Sequence, residues 1–322
     1  MLTAGEVALA LFRWEQTAGG LARLINHSEN LTFLIQAPAG ERYTLRVHRP
    51  GYQSRASIES ELSWLFALRH DTNLVVPQPV AGRNGEYLQT LETTAGQHMA
   101  VLFHFIPGGE PGIGAGGQTL FHTLGRQTAT LHLHACDWPK PPGFDRQVWD
   151  GPAMLGSTGL WGDWRRAPGV EADNRPLLQE LSTKLLQMLQ TYGTAADRFG
   201  LIHADIRLGN LLVDNEQVAI LDFDDCGFGW FAYDFAASIS FHETDPAIPE
   251  LRQAWLDGYR LIRLFPSADE AMLDTMVMLR RMVLLAWIGS HSETALAQQH
   301  APHFARDTAA LARRYLDGGI WS

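Results

Sequence analysis

The residue types best suited to chemistry lie in two short motifs close together in the sequence. Residues 203–210 read His-Ala-Asp-Ile-Arg-Leu-Gly-Asn, and residues 221–225 read Leu-Asp-Phe-Asp-Asp. An Asp five residues before an Asn, followed by a second acidic cluster, is the set that phosphoryl transfer from a nucleotide requires. One carboxylate orients the attacking hydroxyl, while an amide and a carboxylate hold magnesium on the phosphates. The spacing therefore predicts a phosphotransferase.

The segment between the two motifs explains how they are brought together. Residues 211–214 and 218–221 are short apolar runs, separated by the polar residues 215–217. Two such runs around a short polar turn are typical of a β-hairpin. We therefore expect a hairpin that folds the acidic cluster back beside the first motif.

Length and composition are those of a folded enzyme. The chain has 322 residues, of which 46% are hydrophobic and 19% charged, so disorder is excluded. A net charge of −10 argues against a nucleic-acid partner, and two cysteines are too few for a disulfide framework. The amino terminus lacks the pattern of a signal peptide, and the apolar stretch 282–289 is too short to cross a bilayer. These features predict a cytoplasmic protein with no membrane partner.

The first hundred residues are predicted to form an antiparallel sheet with one helix. Apolar residues recur at helical spacing from residue 57 to residue 70, and Asn84-Gly85 predicts a hairpin between the strands on either side of it. The predicted strands are residues 21–25, 31–35, 43–48, 79–81, 87–89 and 99–106.

Beyond the Pro/Gly-rich residues 107–112 the pattern becomes mostly helical, with one loop-like segment at residues 137–173. The predicted architecture is α+β and bilobal: a small N-lobe (1–105) with an antiparallel sheet and one helix, and a larger, mostly helical C-lobe (106–322). A nucleotide would lie in the cleft between the lobes. The predicted C-lobe helices are residues 120–134, 175–192, 230–241, 249–264 and most of 269–316.

The two motifs resemble those of the aminoglycoside phosphotransferase/choline kinase superfamily, relatives of the eukaryotic protein kinases. The chain is similar to type II homoserine kinases and to the YihE-type stress-response kinases within that group. The resemblance runs from about residue 20 to residue 240 and implies a protein-kinase-like fold with ATP and Mg²⁺ as cofactors. It is carried by His203-Ala204-Asp205…Asn210, Ile220-Leu221-Asp222-Phe223-Asp224 and Tyr233-Asp234-Phe235-Ala236, with support from Leu124-Gly125…Leu131-His132 and Leu45-Arg46-Val47-His48-Arg49-Pro50.

The resemblance also implies roles for single residues. Asp205 would be the catalytic base that orients the substrate hydroxyl, and Asn210 and Asp222 would hold magnesium against the phosphates. His203 would brace the loop. Arg207 would stabilise the charge that develops on the transferred phosphoryl group, with a structural ion pair as the alternative.

The sequence departs from the family pattern at the lysine that grips the α- and β-phosphates. Arg46 stands at that position, and a guanidinium forks its donors where an ammonium is a point charge. Glu61 on the predicted helix is the expected partner of Arg46, with Glu59 as the alternative. A surface-facing position for Arg46 is the other interpretation, because strand faces alternate.

The other nucleotide contacts are predicted from the same resemblance. No Gly-x-Gly-x-x-Gly sequence is present, so the turn over the phosphates is expected at residues 26–30, with Ser28 and Asn30 facing the nucleotide. The base is expected beside a hinge at residues 103–106, which includes Phe103 and Phe105.

Two groups of residues admit two interpretations each. Asp224 and Asp225 are either supports of the metal site or solvated turn acids, and Asp234 is expected to be a structural cap that fixes the acidic loop. The tryptophans of the 137–173 segment either anchor a loop or form an aromatic wall for a cationic amine substrate. These tryptophans are Trp149, Trp161 and Trp164.

The prediction is an ATP- and Mg²⁺-dependent phosphotransferase that moves the γ-phosphate to a hydroxyl of a small molecule. An amino alcohol, a homoserine-like compound, a sugar or an aminoglycoside would suit the same catalytic loop. The first alternative is a Ser/Thr protein kinase of the YihE type, with a protein acceptor. The second is a non-catalytic, nucleotide-binding pseudokinase, which the missing lysine suggests.

Overall fold

The computed structural model describes residues 2–27 and 30–321. These residues form two compact units. Unit 1 comprises the described residues of Met1–Gly108 together with Pro139–Arg146 and Leu212–Asp224. Unit 2 comprises Gly109–Trp138, Gln147–Leu211 and the described residues of Asp225–Ser322. The first boundary lies three residues after the predicted end of the N-lobe, and two later segments return to unit 1.

Unit 1 is built on a six-stranded antiparallel sheet in the order β1-β2-β3-β6-β4, with β5 also paired to β6. The predicted antiparallel sheet is present, but the predicted pairing across Asn84-Gly85 is wrong. Both flanking strands instead pair with β6, one after the other along its length. Pro79 lacks an N–H group, which helps to limit β4 to two residues. The strands are β1 (Leu21–His27), β2 (Leu31–Gln36), β3 (Arg42–Val47), β4 (Pro79–Val80), β5 (Leu88–Thr93) and β6 (Gly96–His104).

Two helices complete the amino-terminal part of unit 1. The short helix α1 (Ala4–Ala10) begins at a capping box formed by Thr3 and Glu6. The longer helix α2 (Arg55–Asp71) begins where the Ser54 side chain accepts a hydrogen bond from the Ser57 N–H. Its buried face includes apolar residues at helical spacing and one carboxylate, that of Glu61.

Unit 2 is mainly helical. Helix α9 is buried along almost its whole length and carries two adjacent buried arginines, Arg280 and Arg281. The predicted loop at 137–173 contains one short helix, α4, and a single 3₁₀ turn at Trp164–Arg166. The helices are α3 (Gly117–Asp137), α4 (Gly151–Leu155), α5 (Arg175–Tyr192), α6 (Phe231–Ser238), α7 (Ile248–Arg260), α8 (Ser267–Glu270), α9 (Leu273–Ser290), α10 (Ala295–His300) and α11 (Phe304–Asp317).

Four short strands lie beside the two chemical motifs. Strands β8 (Leu211–Asp214) and β9 (Gln217–Ile220) form the predicted hairpin around a two-residue turn. Strands β7 (Phe199–Ile202) and β10 (Gly227–Trp230) pair in unit 2 and were not predicted. A Cβ at Gly227 would lie 2.4 Å from the carbonyl oxygen of Gln147, so this strand needs glycine there and lacks the alternating pattern of an ordinary strand.

Helices α3 and α7 touch backbone to backbone. A Cβ on Gly125 would lie 2.0 Å from the carbonyl oxygen of Trp255, and a Cβ on Gly258 would lie 2.0 Å from that of His122. The two helices can approach each other this closely only because both positions are glycine. No helix in the described part of the chain has both the length and the apolarity to cross a membrane.

We expect Gly125→Ala to lower the free energy of unfolding by about 2 kcal/mol or more, because the added methyl group forces the two helices apart. Chemical denaturation with urea would measure the change. Gly5→Ala in α1 is the matched control, since nothing lies within 4 Å of its Cβ position. Equal stability of the two variants would contradict this account of the crossing.

Candidate active site

The catalytic loop, defined here as residues 203–210, is fixed by one buried carboxylate of α6. Asp234 accepts hydrogen bonds from the backbone N–H groups of His203, at 3.0 Å, and Ala204, at 2.8 Å. Nε2 of His132 on α3 lies 3.0 Å from the same carboxylate. The side chains of His132 and Asp234 are fully buried. Asp234 does not cap its own helix, whose N-cap is Trp230, but holds the backbone of the catalytic loop.

The backbone at Ala204 is in the left-handed region, with φ 68°. A residue with a Cβ adopts this conformation only where its surroundings impose it. Asp234 binds the N–H group of Ala204, and Arg280 donates to its carbonyl oxygen at 3.2 Å. Both sides of the strained residue are therefore held by buried charged groups.

The Asp205 carboxylate receives donors on both oxygens. Arg280 donates to Oδ1, Asn210 Nδ2 donates to Oδ2 at 2.8 Å, and Arg207 Nε lies 3.5 Å from Oδ2. Asp205 is buried overall, but its side chain remains 13% exposed, so solvent reaches part of it. Arg207 thus contacts Asp205 in the structure, whereas its contact with a phosphate stays a prediction.

The side-chain amide of Asn210 is oriented by two hydrogen bonds to Asp205. Its Nδ2 donates to both Oδ2 and the carbonyl oxygen of Asp205, at 2.8 and 2.9 Å. The amide oxygen of Asn210 is left as the atom for a cation, and hard cations such as Mg²⁺ take oxygen ligands. The donor chemistry at this position therefore fits the predicted metal.

Unit 1 contains a buried charged cluster of Arg46, His48, Glu61, Arg146 and Asp224. Arg46 Nη2 lies 2.6 Å from Glu61 Oε2, so Arg46 faces the interior and not the surface. The alternative partner, Glu59, is exposed and pairs with Arg55.

Arg46 also reaches the second motif. Its Nη1 lies 3.6 Å from Oδ1 of Asp222, whose side chain is 42% exposed and whose backbone has φ 56°. Burial alone would lower the pKa of Arg46, but the carboxylates of Glu61, Asp224 and Asp222 raise it above its ordinary value. Arg46 therefore remains a cation at every working pH.

Asp224 is a buried anchor. Its Oδ2 accepts from Asn30 Nδ2 at 2.9 Å, and its carbonyl oxygen accepts from Gln53 Nε2 at 3.1 Å and from Arg146. Burial would raise its pKa, but the Arg46 and Arg146 guanidinium groups and the Asn30 hydrogen bond together hold the pKa below its ordinary value. Asp225 is also buried, so the interpretation of both residues as solvated turn acids is wrong.

His48 is the neutral member of the buried charged cluster. Burial and the neighbouring Arg46 lower its pKa to about 3, although Asp224 acts in the opposite direction. His48 Nδ1 lies 3.6 Å from Asp224 Oδ1. His48 therefore adds no positive charge to the cluster around neutral pH. Burial raises the pKa of Glu61, although the neighbouring Arg46 acts in the opposite direction.

The residues that were predicted to contact the nucleotide from the 26–30 turn and the 103–106 hinge do not share one environment. Ser28 lies outside the described residues, and Asn30 is buried, with its amide bonded to Asp224. Phe103 is buried, with the Arg46 guanidinium 5.2 Å from its ring centre. Phe105 instead lines an open cavity.

This cavity has a volume of about 170 Å³ and lies in unit 1, between the hinge after β6 and the β8–β9 hairpin. It is small for a whole ligand and suits a single flat ring system. Its lining residues are Arg69, Val75, Val76, Gln78, His104, Phe105, Ile106, Pro107, Leu212, Asp214, Gln217 and Ala219.

The three tryptophans of the 137–173 segment belong to the core. Trp149, Trp161 and Trp164 are exposed by 1%, 5% and 0% respectively. The cation that faces Trp161 is the guanidinium of Arg280, 4.9 Å from its ring centre. The anchor interpretation therefore holds, and an aromatic wall for a substrate amine is not formed by these residues.

Sequence reasoning missed Arg280 as well as the buried residues His48 and Arg146. A signal for Arg280 was present, because charged residues inside an apolar helix are rarely buried without a partner. The partner itself is 75 residues away in sequence, which no local pattern indicates.

We expect Asp234→Asn to lower the free energy of unfolding by roughly 1–3 kcal/mol, because a buried acceptor of three hydrogen bonds becomes a mixed donor and acceptor. Urea denaturation would give the value. The exposed Asp173→Asn serves as the control and should stay within about 0.5 kcal/mol of the wild type. An Asp234→Asn variant as stable as that control would disprove the anchoring role.

Comparison with known proteins places this geometry in a family. The structure of the microcompartment-associated aminopropanol kinase is similar to this chain at 41% sequence identity and a TM-score of 0.91, covering 99% of both chains. The complex of amicoumacin kinase hAmiN with AMP-PNP, Ca²⁺ and Ami shares the fold at 22% identity and a TM-score of 0.77, covering 98% of this chain and 93% of the other. The predicted kinase-like α+β fold is thereby confirmed.

Among sequence relatives, amicoumacin kinase of Bacillus subtilis (strain 168) is 26% identical over 216 residues. The match covers 66% of this chain and 61% of that protein, so the chain spans about three fifths of its relative's length. The model of the phosphotransferase enzyme family matches residues 21–271, which is well over half of the 322 residues. The predicted superfamily is confirmed: the chain belongs to the phosphotransferase enzyme family.

Proposed function

We propose that this protein transfers the γ-phosphate of ATP, with magnesium, to the hydroxyl group of a small amino alcohol. The observation that carries the proposal is the Asp205 carboxylate, which is held by three donors and still partly exposed on a loop that Asp234 fixes. Phosphoryl transfer depends mainly on positioning and charge stabilisation, and a pre-oriented carboxylate supplies the first of these.

Asp205 is the residue that would meet the acceptor. A hydroxyl group that donates a hydrogen bond to its carboxylate has its oxygen oriented for in-line attack on the γ-phosphorus. Arg207, beside the same carboxylate, would stabilise the charge on the transferred group. No covalent intermediate on the protein is required.

The nucleotide contacts that we propose come from both motifs and from Arg46. Asn210 and Asp222 would each supply an oxygen to magnesium, which neutralises the phosphates when bound. Arg46, oriented by Glu61, would contact the α- and β-phosphates in place of the usual lysine. The cavity beside Phe105 would take the base, since its volume suits one ring system. The AMP-PNP complex of the hAmiN kinase supports ATP as the donor.

The choice of a small amino alcohol rests on the aminopropanol kinase, to which the chain is similar over 99% of its length. At 41% identity over nearly the whole of both chains, a related acceptor is the first hypothesis to test. In the described part of the chain, no feature favours a protein acceptor or a non-catalytic role, and both remain outcomes of the experiment.

We expect Asp205→Asn to lower kcat by about 10³-fold, because an amide does not accept the hydroxyl hydrogen bond in the same geometry, while ATP binding stays within threefold. Coupled ADP release with ATP and magnesium would measure this over aminopropanol, ethanolamine, homoserine, a sugar, an aminoglycoside and a cell lysate. The surface variant Asp173→Asn is the control.

Three results would contradict the proposed function. Near-normal turnover in Asp205→Asn would overturn the role of that residue. Labelling of a lysate protein without small-molecule turnover would favour the protein kinase alternative. Normal ATP binding with no transfer to any acceptor would favour the pseudokinase.

We expect Arg46→Met to raise the ATP dissociation constant at least tenfold, because it removes the proposed phosphate contact and leaves Glu61 buried without its partner. Arg46→Lys should change that constant less than tenfold, since the positive charge remains. Calorimetric titration with ATP, with and without magnesium, would test both variants. The exposed Arg55→Met is the control, and unchanged affinity in Arg46→Met would refute the contact.

A further inference from the structure

Arg280 is a fully buried arginine in the middle of a mostly apolar helix. Its Nε donates to Ser240 Oγ at 2.9 Å, its Nη1 donates to the Ala204 carbonyl oxygen at 3.2 Å, and its Nη2 donates to Asp205 Oδ1. Two of these three contacts are therefore made with the catalytic loop. One is to the backbone of Ala204, and the other is to the side chain of Asp205, which we propose meets the acceptor hydroxyl.

Two aromatic rings also lie close to the guanidinium. Its central carbon lies 4.9 Å from the ring centre of Trp161 and 5.8 Å from that of Tyr233, whose hydroxyl group is 3.4 Å from Nη1. A planar cation that is held by hydrogen bonds on all three nitrogens and packed beside aromatic rings is restrained to one orientation. Arg280 is thus a rigid donor, in contrast to a long side chain in solvent.

The contacts that the Asp205 carboxylate already makes with donor groups determine the direction in which it can accept a further hydrogen bond. A carboxylate has about four lone-pair positions. Arg280 takes one on Oδ1, while Asn210 and Arg207 lie on the side of Oδ2. Without Arg280, Oδ1 would lack its buried partner and the carboxylate would turn to find another. The lone-pair position that is left for the acceptor hydroxyl would then no longer have a fixed direction.

We propose that Arg280 is a positioning residue for phosphoryl transfer, which sets the rotamer of Asp205 and the strained peptide at Ala204 so that one lone pair meets the acceptor hydroxyl. The inference rests on the proposed function for its acceptor, but its mechanism applies to any hydroxyl group, water included. Arg280 acts through Asp205 and does not touch the reacting atoms.

The next residue on the same helix provides a matched control. Arg281 is also buried, but it pairs with Glu243 at 2.7 Å and donates to Thr308 of α11 at 2.9 Å. These partners lie outside the catalytic loop. A comparison of variants at these two positions therefore distinguishes the loss of a positioning role from the loss of stability that follows removal of any buried cation.

The experiment compares Arg280→Lys, Arg280→Met and Arg281→Met. Each is assayed for phosphorylation of aminopropanol, for ATP hydrolysis with water as the acceptor, for ATP affinity and for thermal stability. We expect kcat to fall about tenfold in Arg280→Lys and 10²-fold or more in Arg280→Met for both reactions, since small displacements of a positioning group have effects of that size. The ATP dissociation constant should change less than threefold. Arg281→Met should lower the melting temperature and leave kcat of the folded protein within threefold.

The lysine variant retains the charge, so it keeps the test valid if Arg280→Met does not fold. Equal kcat losses in Arg280→Lys and Arg281→Met would overturn the inference, and so would wild-type kcat in Arg280→Lys. A selective loss of ATP hydrolysis in the Arg280 variants, in a protein that phosphorylates no amino alcohol, would uphold the inference and reject the proposed acceptor. Absence of both reactions in the wild type would reject both proposals.

Discussion

The carboxylate of Asp234 is the group on which the candidate site depends. It satisfies two consecutive backbone N–H groups of the catalytic loop and is itself held by His132. Such an acceptor is what allows Ala204 to stay in the left-handed region at the centre of a buried loop. Asp205 follows directly, so the position of its carboxylate is set by a structural residue 29 positions later in the chain.

In each unit a buried arginine contacts a carboxylate that the sequence motifs predict to be functional. In unit 1, Arg46 lies between Glu61 and Asp222, and in unit 2, Arg280 binds Asp205. Removing either partner of a buried ion pair leaves an uncompensated charge. Substitution of either residue in such a pair is therefore expected to lower the stability of the fold. The arrangement gives a carboxylate a fixed direction, which a solvated side chain does not have.

The sequence predicted the parts of this protein that follow local rules. The β8–β9 hairpin, helix α5 and the spacing of Asp205 and Asn210 are visible in short patterns of residues. Strand β10 was missed because close approach of another backbone segment at Gly227 requires glycine, which removes the strand signal. The partnership of Arg280 with Asp205 was missed because it depends on tertiary packing between distant segments. Local patterns thus identify the reacting groups, whereas their orientation is a property of the folded chain.

The glycine crossing of α3 and α7 has a consequence for the thermal stability of the candidate site. His132 on α3 bonds to Asp234 through Nε2 and lies 2.9 Å from the Tyr259 hydroxyl of α7 through Nδ1, directly beside Gly258. The helix crossing is therefore connected to the catalytic loop through two buried side chains, those of His132 and Asp234. We therefore expect heat that loosens the helix pair to release the loop at the same time, so that loss of the candidate site's geometry and the onset of unfolding in unit 2 coincide.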